Sequence, residues 1–137
     1  MEAAITVVGS VNLDFVATAR TLPAPGETVT GAALARHPGG KGANQALAAA
    51  RLSARVSLIA RVGADALADE ALALLKAEGV NLSGCLIDES APTGVALIAV
   101  DAKGNHQVTN FRCQGPIRYW FWEDSMPEPE LRDAMTA

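Results

Sequence analysis

The chain has 137 residues and a formal net charge of −4; half of its residues are hydrophobic and fewer than a fifth are charged. This size and composition predict one globular domain with a real core and exclude a disordered chain. The acidic balance, without a basic stripe, argues against nucleic acid as a partner. No apolar run approaches the roughly 18–20 residues that span a bilayer, so we expect no membrane partner.

The N-terminus and the two cysteines indicate the compartment. The acidic start, Met1 to Ala4, leads directly into a strand-like run and does not read as a signal peptide. Cys85 and Cys113 have neither metal-ligand spacing nor the density of a disulfide scaffold. We therefore expect a reducing, cytoplasmic environment.

The first two predicted strands carry the first candidate site residues. Ala4 to Val8 is a short apolar, β-branched run, typical of a buried parallel strand. The next run, Val11 to Val16, alternates apolar and polar residues, so an extended backbone places Asn12 and Asp14 on one face. An aspartate accepts hydrogen bonds from hydroxyls and an asparagine both donates and accepts, so the pair suits polyol binding. The same pair also fits solvated strand residues or a turn cap.

A small antiparallel flap is expected next. The Pro-rich segment Thr21 to Gly26 predicts a turn, and Thr28-Val29-Thr30 favours a strand within the mixed stretch that ends at Ala35. Two strands around this turn would form the flap.

A glycine-rich segment then leads into a predicted helix. In Gly39-Gly40-Lys41-Gly42 the bare backbone allows close approach of a ligand. The helix, predicted over 43–52, would point free N–H groups and its positive dipole end at that ligand. Lys41 adds a positive charge, and Asn44 adds an amide that donates and accepts. The segment predicts a cradle for a polar, hydroxyl-rich or anionic ligand.

Two common phosphate-binding motifs do not match this segment. A P-loop needs glycine where this chain has Ala35, and serine or threonine where it has Gly42. A dinucleotide-binding fingerprint that starts at Gly40 fails at Gln45, and Pro38 is expected to interrupt any strand running into it. Spacing alone fits a ligand cradle and a simple tight loop between strand and helix equally well.

The remaining elements alternate between strands and helices. The pattern predicts a strand from Arg55 to Val62. It also predicts a helix that has Asp65 as its N-cap and ends before Gly79. The apolar face of that helix is predicted at Leu67, Ala71, Leu74 and Leu75. A short strand is predicted over 80–86, and a hairpin joins Thr93 to Asp101 with His106 to Phe111.

This order predicts an α/β fold with a parallel sheet and helices on its faces. Ligands bind such sheets beyond the carboxyl ends of the strands, where the Asn12–Asp14 pair and the glycine-rich segment would meet. His37 and His106 each lie alone in their segments without a partner nearby, and we interpret them as polar loop or strand residues.

The composition changes near the end of the chain. Of the six aromatic residues only Phe15 precedes position 111, and Tyr119 to Trp122 form a cluster. Two interpretations stay open: an out-of-frame tail without a selected role, or an aromatic patch that docks on a partner or covers an open core.

Four motifs together resemble the ribokinase-type (PfkB) family of carbohydrate kinases, and the resemblance covers residues 4–109. They are Gly9-Ser10-Val11-Asn12-Leu13-Asp14, Pro25-Gly26-Glu27-Thr28-Val29, Pro38-Gly39-Gly40-Lys41-Gly42-Ala43-Asn44-Gln45-Ala46 and Thr93-Gly94-Val95-Ala96-Leu97-Ile98.

This resemblance implies an α/β fold with a β-sheet lid formed by the flap strands and the 93–111 hairpin. Asn12 and Asp14 would hold sugar hydroxyls, and Ala96 would lie near the sugar. Gly39, Gly40, Lys41 and Asn44 would line the pocket, and Gly42 would let the chain approach it. The family transfers the ATP γ-phosphoryl group to a primary sugar hydroxyl, as from ribose to ribose 5-phosphate, with Mg²⁺ and often a monovalent cation. Lid pairing implies a homodimer.

The chain also departs from the family pattern. The family's catalytic aspartate lies in a Gly-Ala-Gly-Asp-like motif, together with the nucleotide site, and this sequence contains no such motif. We therefore predict an incomplete ribokinase-like domain over 1–110 that carries the sugar-binding half, and a divergent tail over 111–137 that is frameshifted or disordered. The alternative is an inactive fragment that binds sugar weakly or associates through its lid strands.

Overall fold

A computed structural model of the chain describes residues 4–111. The predictions for the tail fall on residues 112–137, outside the described part. The elements follow in chain order: strands β1 (Ala4–Val8), β2 (Asn12–Thr18) and β3 (Ala33–Gly39), helix α1 (Lys41–Arg51), strand β4 (Arg55–Gly63), helix α2 (Ala66–Ala77), and strands β5 (Asn81–Asp88), β6 (Gly94–Val100) and β7 (His106–Phe111).

The first of two sheets is a parallel sheet in which β4 lies between β1 and β5. Alternate residues of β4 (Val56, Leu58, Ala60 and Val62) are buried and share one hydrophobic core with the buried faces of α1 and α2. A parallel strand covered in this way is expected to be rich in Val, Ile and Leu, as β4 is. The prediction that Ala4–Val8 is a buried strand is wrong: only Val7 is buried and Ile5 is exposed, because β1 is an outer strand of this sheet within the described residues. The predicted parallel sheet with flanking helices is confirmed.

The second sheet, called here the mixed sheet, has the strand order β3-β2-β6-β7. β2 pairs antiparallel with β3 and parallel with β6, and β6 pairs antiparallel with β7 through the predicted hairpin. Asp101 holds the hairpin turn by accepting hydrogen bonds from the N–H groups of Lys103 and Asn105. The predicted antiparallel flap and the hairpin are therefore joined in one sheet, and the β2–β6 pairing makes it mixed.

Two predictions about the flap are wrong. Thr28-Val29-Thr30 is not a strand; the strand that pairs with β2 is Ala33–Gly39. Pro38 does not interrupt that strand, which continues through it to Gly39 and leads directly into α1. A proline, which lacks an N–H donor, is tolerated here because β3 is the outer strand of the mixed sheet within the described part of the chain.

The two helices follow their local signals. α2 begins as predicted, with the Asp65 carboxylate accepting a hydrogen bond from the N–H of Ala68, and Gly79 follows it with φ +74°. α1 begins two residues earlier than predicted, at Lys41. Small residues form its buried face (Gly42, Ala43 and Ala46), which brings the helix close to the sheet. No helix among residues 4–111 is long and apolar enough to cross a bilayer.

A buried hydrogen-bond network joins the two sheets. Thr93, 2% exposed, lies immediately before β6 of the mixed sheet. Its hydroxyl donates to Asp65 Oδ1 at 2.7 Å and accepts from the N–H of Gly63, the last residue of β4, at 3.0 Å. Its own N–H donates to Asp65 Oδ2 at 2.8 Å. This network fixes the start of β6 to the carboxyl end of β4.

Candidate functional site

The predicted pair on β2 lies on one face of the mixed sheet. Leu13, between the two polar residues, is fully buried in the core, whereas Asn12 and Asp14 are half-buried and point to the opposite face. In register with them on β6 are Gly94 and Ala96, and Ala96 is buried. We call this side of the mixed sheet the inner face.

Both polar side chains lie directly over glycines of the neighbouring strands. The Asp14 carboxylate covers Gly39, the last residue of β3, so closely that a Cβ there would lie 2.6 Å from Asp14 Cγ. The Asn12 side chain covers Gly94, where a Cβ would collide with Asn12 Oδ1. The glycines therefore provide the space that these two side chains occupy.

The glycine-rich segment makes a sharp turn between β3 and α1. Gly40 has φ +97°, a conformation that favours glycine, and a Cβ there would lie 2.9 Å from the N atom of Asn12. Gly42, in the first turn of α1, packs on the loop after β1, where a Cβ would lie 2.6 Å from the carbonyl carbon of Gly9. The start of α1 is thus held against the start of β2.

Ser10 fixes this junction and was not predicted as a site residue. Its hydroxyl accepts a hydrogen bond from the N–H of Lys41 at 3.2 Å, and its carbonyl accepts one from the N–H of Ala43 at 3.1 Å. Both donors belong to the first turn of α1, which otherwise has no side-chain cap. The sequence signal that could have identified Ser10 is the Gly9-Ser10 pair directly after the first strand. Gly9 allows this loop to lie against Gly42 of α1, and Ser10 can then bind the first turn of the helix.

Lys41 and Asn44 lie in that first helical turn, and both are exposed. This first turn contains no acidic residue, so no carboxylate of the helix itself neutralises the positive end of the helix dipole. The structure thus places the predicted residues on two adjoining elements: Asn12 and Asp14 on the inner face, and Gly40, Lys41, Gly42 and Asn44 at the junction. This arrangement offers one carboxylate acceptor, two amides and one ammonium group to a hydroxyl-rich ligand.

The electrostatics of the site centre on Asp14. Burial raises the pKa of its carboxyl group, and the charge of His37 acts to lower it. The interpretation of His37 as a residue without a nearby partner is wrong, because it lies directly opposite Asp14 in the β2–β3 pair. His106 begins β7, where it pairs with Val100 of β6, and its side-chain Nδ1 lies 3.5 Å from the carbonyl oxygen of Gly104.

Comparisons with known proteins identify the family of the chain. The model of the pfkB family of carbohydrate kinases matches residues 2–133. The chain is similar to the ribokinase of Schizosaccharomyces pombe, with 42% identity over 110 residues that cover 76% of this chain and 35% of that protein. It is also similar to the ribokinase of Bacillus subtilis, with 50% identity over 76 residues that cover 56% of this chain and 26% of that protein.

Solved structures give the same result. The ribokinase of Cryptococcus neoformans in complex with ADP matches with a TM-score of 0.72 and 32% identity, over 81% of this chain and 35% of that one. The Arabidopsis thaliana ribokinase complexed with ribose and ATP matches with a TM-score of 0.67 and 30% identity, over 81% of this chain and 36% of that one. The chain thus spans about a third of the length of these relatives. It belongs to the pfkB family of carbohydrate kinases.

Proposed function

We propose that this chain provides the sugar-binding part of a ribokinase, which phosphorylates a primary hydroxyl of ribose with ATP to give ribose 5-phosphate. The observation that carries the proposal is the placement of the Asp14 carboxylate over Gly39, beside the start of α1. The matched Arabidopsis thaliana structure, a ribokinase complexed with ribose and ATP, supports the choice of ligands.

Each site residue has a distinct part in holding the sugar. The carboxylate of Asp14 accepts hydrogen bonds from two neighbouring hydroxyls, and Asn12 can accept from one hydroxyl and donate to another. Lys41 and Asn44 add donors at the start of α1. Gly39, Gly40 and Gly42 keep the backbone bare, so that the sugar can approach both the strand and the helix closely. These contacts fix the orientation of the sugar, which is the main requirement of phosphoryl transfer.

The metal part of the reaction is not assigned to the described residues. Among residues 4–111, no group of three or more His, Cys, Asp or Glu side chains is arranged to hold a metal ion. ATP and Mg²⁺ therefore belong to the proposal only as the family's co-substrate and metal, and no transfer step runs through the residues described above.

Isothermal titration of the 137-residue chain with ribose tests the proposal. Asp14→Asn removes a charged acceptor, and since hydrogen bonds to charged groups contribute about 1.5–3 kcal/mol, affinity should fall about 10–100-fold. The matched control is Asp69→Asn, which neutralises an exposed carboxylate on α2. Failure of the unmodified chain to bind ribose, or equal affinity of the Asp14 variant, would refute the assignment.

Unfolding of the Asp14 variant does not confuse this test. Burial raises the pKa of Asp14 in the folded protein, so ionisation of this carboxyl group lowers the free energy of unfolding. This destabilisation is present above the folded pKa and is lost as the pH falls through that pKa. The neutral asparagine avoids that cost, so Asp14→Asn should be at least as stable as the unmodified chain near pH 7. Equilibrium unfolding in urea measures this directly.

Turnover is tested separately from binding. The chain alone should not form ADP from Mg²⁺-ATP in the presence of ribose and K⁺, because its sequence lacks the Gly-Ala-Gly-Asp-like motif of the family. Ribose-dependent ADP formation that disappears in Asp14→Asn would show that this chain contains a complete active site. The sugar-binding assignment would then stand, and the restriction to half of the reaction would be wrong.

A second candidate function is self-association through the mixed sheet, giving a homodimer or an inactive oligomer. Large apolar side chains are exposed on this sheet, at Leu34, Leu97 and Val108. Its outer strands, β3 and β7, each pair on one side only within the described residues. Light scattering should give the mass of a dimer for the unmodified chain. In Leu34→Ser the dimer should dissociate at higher protein concentration than in the unmodified chain. A monomer at all concentrations would exclude this candidate.

A further inference from the structure

One row of residues crosses the mixed sheet at the level of the Asp14 carboxylate. His37 on β3, Asp14 on β2, Ala96 on β6 and Asn110 on β7 are successive partners in the sheet register. Directly opposed residues on antiparallel strands point to the same face, with Cβ atoms about 4.5–5.5 Å apart. The His37 side chain therefore lies on the inner face, in the neighbouring strand position to Asp14, and its charge acts on the Asp14 carboxylate.

The other charged groups around this row face elsewhere or belong to the helix junction. Arg36, the neighbour of His37, lies on the opposite face of the sheet and pairs with Glu70 of α2 at 3.2 Å. On β6, the residue in register with Asp14 is the uncharged Ala96. Lys41 begins α1, beyond the end of β3. Among residues 4–111, His37 is thus the ionisable group that shares the row of Asp14.

We propose that His37 is a positioning residue of the sugar site: its protonated imidazole keeps the Asp14 carboxylate ionised and thereby sets the lower pH limit of sugar binding. The proposal rests on the function proposed above, because it assigns a role to the charge of Asp14 in holding the sugar. His37 is exposed, whereas Asp14 is half-buried and its charged form is disfavoured by desolvation.

The charges of the two groups respond to pH in the same direction. A histidine gains positive charge as the pH falls, which opposes the uptake of a proton by the half-buried Asp14 carboxylate. A protonated Asp14 becomes a hydroxyl donor on one oxygen and loses the bidentate acceptor that two sugar hydroxyls need. The effect of the His37 charge on Asp14 is therefore expected on the acidic side.

The test compares His37→Gln with His106→Gln, the same substitution at the first residue of β7. The first readout is the carboxyl ¹³C NMR titration of Asp14 without sugar, and the second is ribose affinity as a function of pH. In His37→Gln the Asp14 titration should move to higher pH, because a positive neighbour has been removed. Ribose affinity should weaken by up to about fivefold on the acidic side and stay unchanged near pH 7, as expected for an exposed charge pair.

The two readouts separate this proposal from the proposed function. An Asp14 titration that does not move in His37→Gln overturns the pairing, even if the chain binds ribose well. A titration that moves without any change in the acid limb of ribose binding overturns the role in the sugar site. If the unmodified chain does not bind ribose at any pH, the proposed function fails, and the role in sugar binding fails with it. His106→Gln should match the unmodified chain in both measurements, and an equal change there would also refute the proposal.

Discussion

Replacing Thr93 by valine tests how the two sheets are held together. Valine has nearly the same shape as threonine, so the substitution keeps the packing of a site that is 2% exposed and removes only the hydroxyl. Two hydrogen bonds are lost: the donation to Asp65 at 2.7 Å and the acceptance from the N–H of Gly63 at 3.0 Å. The bond from the Thr93 N–H to Asp65, at 2.8 Å, is kept.

The expected cost follows from these two losses. A hydrogen bond to a charged group contributes about 1.5–3 kcal/mol, and a buried N–H left without an acceptor costs about 1–3 kcal/mol. Because the two bonds share one oxygen atom and are not additive, we expect a total of about 2–4 kcal/mol. For a chain of this size that corresponds to a fall of roughly 8–16 °C in Tm.

Urea and thermal unfolding of Thr93→Val measure this cost. The matched control is Thr18→Val, at the exposed end of β2, which should stay within about 0.5 kcal/mol of the unmodified chain. If Thr93→Val is equally harmless, the network does not carry the connection between the sheets, and the geometry of Asn12 over Gly94 must be fixed by something else. Ribose affinity should fall together with stability, because β6 provides that glycine.

Three further predictions rest on single contacts. Burial acts to raise the pKa of Asp65, but hydrogen bonds from Thr93 and the start of α2 lower it on balance. The ionised Asp65 therefore stabilises the protein above the ordinary aspartate pKa of about 3.9, and this stabilisation is lost as the pH falls through the lower folded pKa. In Asp65→Asn the urea midpoint of unfolding should depend less on pH over that acidic range. Gly42→Ala should destabilise the protein by about 1–3 kcal/mol in urea unfolding, despite the better helix propensity of alanine, since its Cβ would meet the backbone of Gly9 at 2.6 Å. Burial raises the pKa of Cys85 to about 11, so peptide mapping should find this thiol unalkylated by iodoacetamide near pH 8 in the folded protein and alkylated in urea.

Features with local causes could be predicted from the sequence. The cap of α2 at Asp65 and the stop at Gly79 depend on residues within one or two helical turns, and both predictions are confirmed. The same-face placement of Asn12 and Asp14 depends only on the two-residue period of a strand. The hairpin between β6 and β7 depends on a short turn.

Features that depend on register between distant segments could not be predicted. Thr28-Val29-Thr30 has strand propensity but pairs with no strand among residues 4–111. Ala33–Gly39 lacks that propensity and forms a strand because it pairs with the edge of β2. The pairing of His37 with Asp14 follows from the same register. Thr93 meets Asp65 only after the two sheets have formed.

The three glycines around the start of α1 bear on the choice between a ligand cradle and a simple tight loop. A tight loop explains Gly40, which has φ +97°, and close packing of the helix on the loop after β1 explains Gly42. Neither explains Gly39, which lies within a strand, where a larger residue would ordinarily be more stable. The atom that excludes a side chain at Gly39 belongs to the Asp14 carboxylate, which is half-buried at a cost in desolvation. A costly carboxylate that also requires a glycine in the next strand is expected where its oxygens have a ligand to hold, so Gly39 favours the sugar site over a simple turn.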